Sequence, residues 1–126
     1  MHALRHVHRL LVPGGTLVDI HPVTEEQVES GQTIVGVISE PDWLNGDLPN
    51  SEAALRQTID DGLYELETET DYDLLHHFDD AEELIDLRRD LFEGQDSLAA
   101  AIRSASPPLV TRMRVVFRRL RALPVR

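Results

Sequence analysis

Residues 63–78 alternate by twos. Even positions hold Tyr64, Leu66, Thr68, Thr70, Tyr72, Leu74, His76 and Phe78, while odd positions include Glu65, Glu67, Glu69, Asp71 and Asp73. Successive side chains of a strand point to opposite faces, so a period of two sustained this long predicts one long strand with an apolar-leaning face and an acidic face. The acidic face needs a counter-charge. Residues 97–126 supply it, with seven Arg and no acid. Within them, Leu109–Leu120 reads two ways. As a strand it sets Leu109, Met113, Val115 and Phe117 against Arg112, Arg114 and Arg118; as a helix it stacks Leu109, Met113, Val116 and Leu120. The β-prone Val115-Val116-Phe117 favours the strand, with its arginines facing the acidic ladder.

This pairing accounts for an uneven charge. The net charge is −11 over 126 residues, yet residues 24–96 alone carry 22 acids against Arg56, Arg88 and Arg89. An acidic body repels phosphate, which argues against a nucleic-acid partner. No apolar run approaches the roughly 18–20 residues of a membrane helix, and no leader-like apolar segment opens the chain, so a cytoplasmic location away from membranes is expected. Cys is absent and all twelve basic residues are Arg, which excludes disulfides, thiolate metal sites and lysine chemistry. The length suits a single domain spanning 1–126.

Along the chain, Leu4, Val7 and Leu11 predict a helix over 3–12, with Arg5, His8 and Arg9 on other faces. Pro13-Gly14-Gly15 ends it, and Thr16–Ile20 reads as a buried strand. Residues 22–31 are polar and read as a loop or short helical turn. A strand is expected over 33–39 and a loop over 41–49. Ser51 suits the N-cap of a helix running to about Asp61, which Gly62 stops. Asp79-Asp80 caps a helix over 81–92 with Leu84, Leu87 and Leu91 inward, and a shorter helix spans 97–104. The fold class is α/β, a small sheet with flanking helices.

Few residues suggest chemistry. His2 and His6 are one helical turn apart but lack a natural third ligand, so no metal site is assigned. His76 and His77 point to opposite faces of a strand, with His76 expected in or near the core. Asp19, His21 and Glu25 follow the first strand, where open α/β sheets bind ligands, so His21 is the candidate to line a ligand pocket or act as a base, against the commoner case of a loop histidine with no role. Trp43 is expected to cover the core from a loop. No Ser-His-Asp or Cys-His motif is seen.

Residues 8–15, His-Arg-Leu-Leu-Val-Pro-Gly-Gly, resemble the "HRVLKPGG" pattern before the fifth strand of class I S-adenosylmethionine-dependent methyltransferases, with Val12 in place of the usual Lys. Residues 72–84 resemble that family's sixth strand and following helix. The Arg-rich run would be the seventh strand, antiparallel between the fifth and sixth. The resemblance implies a partial Rossmann-like sheet (strands five to seven) and methyl transfer from S-adenosylmethionine to a small acceptor. It covers only the C-terminal half of such a domain. The donor-binding Gly-rich turn is missing, since no G-x-G occurs among the seven glycines. The chain is therefore expected to be a truncated domain that binds no S-adenosylmethionine, and is inactive, alone. The 16–20 strand would expose an apolar edge, which implies a homo-oligomer or a separate N-terminal half as partner. A non-catalytic half-domain that pairs through this edge is the alternative.

Overall fold

The computed structural model describes residues 2–124. It is a mixed α/β chain with one open five-stranded sheet. The elements in order are α1 (His2–Leu10), β1 (Thr16–Pro22), β2 (Glu26–Ser30), β3 (Thr33–Ile38), a π-helical turn (Trp43–Asp47), α2 (Leu48–Asp60), β4 (Tyr64–Phe78), α3 (Ala81–Leu87), α4 (Arg89–Phe92), α5 (Asp96–Ser104) and β5 (Leu109–Ala122). The strand order is β1-β5-β2-β3, with β4 also on β5. Two compact units make up the chain: residues 1–21, 41–72 and 115–126 form the first, and residues 22–40 and 73–114 the second.

In the first unit β5 lies between β1 and β4. Gly14 N donates to Ala122 O and Ala122 N to Gly15 O, both at 2.8 Å, closing the β1 side. On the other side Leu123 N reaches Leu63 O at 2.9 Å. The acidic and basic ladders then descend in opposite directions: Arg121 to Glu65, Arg119 to Glu67 at 4.0 Å, Arg118 to Glu69 at 2.6 Å. β5 is thus antiparallel to both neighbours. The core gathers Leu55, Tyr64, Leu120 and Ala122, with Leu4, Leu11 and Leu17 packed against them. His8, expected on an outer face of α1, is buried instead, its Nε2 2.8 Å from Leu123 O and its ring edge-on to Tyr64. An aromatic partner and a free carbonyl make that place satisfactory for an imidazole.

In the second unit β2 and β3 form an antiparallel hairpin, and β2 pairs with β5 in the register Val28↔Thr111 and Ser30↔Leu109. Residues 26–30 were expected outside any strand. Their polar composition hid the Val28 core position, but Gly31 (φ +61°) opens a two-residue turn between Ser30 and Thr33, the local requirement of a tight hairpin. The core is Val28, Ile38, Phe78, Leu84, Ile102 and Leu109 with neighbours from α4 and α5.

Other boundaries differ for identifiable reasons. The expected 41–49 loop is mostly helical: Leu48 N donates to Trp43 O across a widened π turn, and Pro49, next in line, has no N–H to place. Ser51 therefore sits within α2 and does not cap it. The 81–92 helix breaks at Arg88 (φ −110°, ψ 28°), whose guanidinium reaches the buried Glu26 at 2.7 Å. Asp80 caps α3 as expected, accepting from Glu83 N at 2.9 Å. β1 is covered on one face only, leaving Val18 48% and Ile20 54% exposed, so it is not the buried strand expected. From 67 to 77 β4 is exposed on both faces, His76 included, and His76 stacks on Phe78 rather than entering the core.

Alternation along β5 changes phase. Leu109, Thr111 and Val115 are buried, then Val116, Arg118, Leu120 and Ala122 are. The single buried face expected for Leu109, Met113, Val115 and Phe117 does not extend past Val115, and Arg118 falls on the inner side.

Candidate functional site

The phase change buries Arg118, which the sequence pattern sets on the arginine face with Arg112 and Arg114. The Arg118 side chain is 8% exposed. Its Nη1 donates to Asp19 Oδ2 at 3.1 Å and Glu52 Oε1 at 3.0 Å, its Nη2 to Glu52 Oε2 at 2.6 Å and its Nε to Glu69 Oε2 at 2.6 Å. The two bonds to Glu52 form a planar, fork-shaped contact that lysine cannot make. Burial alone would disfavour the charged guanidinium, but the hydrogen bonds to Glu52, Glu69 and Asp19 outweigh it and hold Arg118 firmly protonated. At Glu52 burial pushes the carboxyl up, while bonds from Arg118 and His21 outweigh that and leave it below its ordinary value.

His21 completes the cluster. Its Nδ1 lies 2.8 Å from Asp19 Oδ1 and its Nε2 2.6 Å from Glu52 Oε1. Asp19 and His21 share a face of β1 by the two-residue repeat, and Glu52 comes from the second turn of α2. Carboxylates only accept, so both ring nitrogens donate when both contacts are made, which is the imidazolium arrangement. Glu25, grouped with His21 in the sequence, instead accepts from Glu40 N at 2.5 Å. Glu40 is itself pushed up by burial and by the neighbouring Glu26 and Glu25.

Asp19 and His21 line a cavity of about 430 Å³ within the first unit. Its walls are mainly apolar, with Leu4, Leu17, Leu48 and Leu55 prominent. Trp43, carried by the π turn, forms part of the wall and does not serve as a loop cover over the core. Asp47 and Ser51 add polar atoms. A cavity of this size, mostly apolar with a few convergent polar groups, suits a small organic ligand.

Sequence reasoning found His21 and Asp19, assigned Trp43 to the core instead, and missed Glu52 and Arg118. Glu52 was visible only as a helix-start residue, and Arg118 only as one rung of the basic ladder. Among the described residues no group of three or more His, Asp or Glu is placed to hold a metal ion. The His2 side chain of the His2/His6 pair lies outside what is described. No helix among these residues is long and apolar enough to cross a membrane.

A scan against protein-family models, a search of curated proteins and a search of solved structures each return no match to this chain.

Proposed function

We propose that the chain is the acceptor-side half of an S-adenosylmethionine-dependent methyltransferase-like fold, with a small molecule as its methyl acceptor. One observation carries the reading. The last strand, β5, lies between β1 and β4 and is antiparallel to both, the order that resemblance to strands five, seven and six implies. α1 and the Pro13-Gly14-Gly15 turn precede β1, and α2 lies between β1 and β4 in the chain, in keeping with that arrangement. The cavity runs along β1, from Leu17 to His21.

The residues present do not fit the methyl donor. No G-x-G segment offers the close backbone approach such a ligand needs. No step is therefore assigned through the donor. The chain's own contribution is to bind and orient the acceptor. His21, the candidate base, is held between Asp19 and Glu52 with both ring nitrogens directed at their carboxylates, so in this arrangement it orients the wall and has no free nitrogen to accept a proton. Arg118 acts on the acceptor only by positioning them.

The reading frame upstream of the Met1 codon tests this. It should encode a Gly-rich turn after a strand, and the longer product should bind S-adenosylmethionine while the 126-residue chain gives no calorimetric heat at millimolar ligand. Stoichiometric binding by this chain alone, or an upstream frame without that turn, overturns the proposal.

A second reading rests on the outer edge of β1, which no strand covers among the described residues, and on the exposed Val18 and Ile20. Such an edge accepts another strand, from a second copy or a separate N-terminal half. Light scattering decides it for self-pairing: a dimer supports it, and a stable monomer at high concentration rules it out.

A further inference from the structure

The geometry points to a small organic cation, an amine carried on an apolar body, as the ligand of the cavity beside β1. The inference concerns the same cavity as the proposed acceptor site, but needs no methyl donor. Its first support is the charge balance behind the wall. Asp19, Glu52 and Glu69 converge on the single guanidinium of Arg118, which leaves the cluster two charges negative, or one negative with His21 as imidazolium. Asp47 adds a further carboxylate to the wall, and it has no hydrogen-bond or ion-pair partner among the described residues.

The second support is the lack of donors for an anion. Among the described lining residues His21 is the one side chain that can carry positive charge, and both its nitrogens are already directed at carboxylates. Arg118 is not part of the lining, and all three of its nitrogens are committed. Among the described lining side chains, a carboxylate or phosphate ligand would find just the Ser51 hydroxyl and the Trp43 indole N–H, both neutral donors, to set against the negative charge. The third support is Trp43. Among aromatic side chains, indole is the strongest partner for a desolvated cation, and the leucines around it take an apolar body.

Trp43 is also the chain's only tryptophan, so its emission reports on this wall alone. The test titrates the whole chain with 2-phenylethylamine hydrochloride, 2-phenylethanol and 3-phenylpropanoate at constant ionic strength, with selective excitation of tryptophan. Saturable change with the amine is expected at roughly millimolar concentration, the range open to so small a probe. The alcohol should bind at least about tenfold more weakly and the carboxylate not measurably. Asp47→Asn, at an exposed position, should weaken the amine about tenfold and leave the alcohol and the circular dichroism spectrum unchanged. Equal or tighter binding of the alcohol or the carboxylate overturns the inference, as does an amine titration with no saturation at about 10 mM. Should the Asp47→Asn chain fail to fold, the wild-type ranking of the three probes decides alone. Amine binding without methyl transfer by any longer product would remove the methyltransferase reading and keep this one; methyl transfer to a non-basic acceptor, with no amine binding, would do the reverse.

Discussion

Arg118→Met is the substitution that most directly probes how the first unit holds together. The methionine keeps most of the buried volume but removes the charge that three carboxylates share. Glu69 is 41% exposed and can rehydrate, so its loss contributes little. Asp19 and Glu52, at 26% and 25%, are partly enclosed and would face each other with only His21 between them. Removing one partner of a buried ion pair costs about 3–5 kcal/mol, and the adjoining cavity admits water, which places this case near 3. For a chain of this length that is a drop in melting temperature of roughly 10 °C. Thermal and urea unfolding followed by circular dichroism would measure it. The pairing with Glu52 gives a second readout. Arg118→Met with Glu52→Gln should lose less than the sum of the single changes, by about 1–3 kcal/mol. The sign with pH is also set. The Glu52 carboxyl lies below its ordinary 4.5 in the folded chain, so its stabilisation is complete above that value and drains away as pH falls below it. Between about pH 5 and 3 the Arg118→Met protein should therefore lose less stability than the wild type. A cost under about 1 kcal/mol, or strictly additive single changes, would refute the view that this guanidinium organises the cluster.

Three further outcomes are expected. Gly15→Ala would put a Cβ 2.9 Å from the carbonyl oxygen of Val12, which already accepts from Gly15 N, and should destabilise by about 1–3 kcal/mol in urea unfolding. Arg88→Met leaves the buried Glu26 carboxylate without its two hydrogen bonds and should cost about 3 kcal/mol, with Glu26→Gln in the same chain restoring part of it. Glu40→Gln should stabilise at pH 7 and have no effect well below pH 4.5, because burial and its acidic neighbours raise the Glu40 carboxyl and make its ionised form the costly one; unfolding midpoints at the two pH values check the difference.

Local pattern carried much of the architecture. The period-2 run of residues 64–78 and the β-prone 109–120 each specify a strand by composition, and their opposite charges specify that they meet. Asp80 announces α3 because its side chain alone meets the first free amides. What stayed illegible depends on tertiary company. Glu26–Ser30 is polar in composition, and becomes a strand because β3 and β5 lie on either side of it. His8 reads as a surface residue until Tyr64 and the Leu123 carbonyl are brought to it. Of the candidate site, Asp19 and His21 were visible through their place at the end of a strand. Glu52 and Arg118 lie 33 and 99 residues from Asp19 in the chain, and only folding reveals that they converge. The inward turn of Arg118 depends on two adjacent buried valines, which no alternation rule anticipates.

That pair of valines fixes more than one side chain. A strand is a two-letter text, in versus out, and Val115-Val116 writes the same letter twice. Deleting one of them would leave the composition nearly unchanged and the strand just as β-prone, yet it would restore a single parity throughout. Everything beyond the deletion would trade sides: Phe117, Arg119 and Arg121 would take the places of Val116, Arg118 and Leu120 beneath the helices. The interior of the first unit is thus spelled by a doubled residue, and a loss of one codon there would cost more than most substitutions anywhere else in the chain.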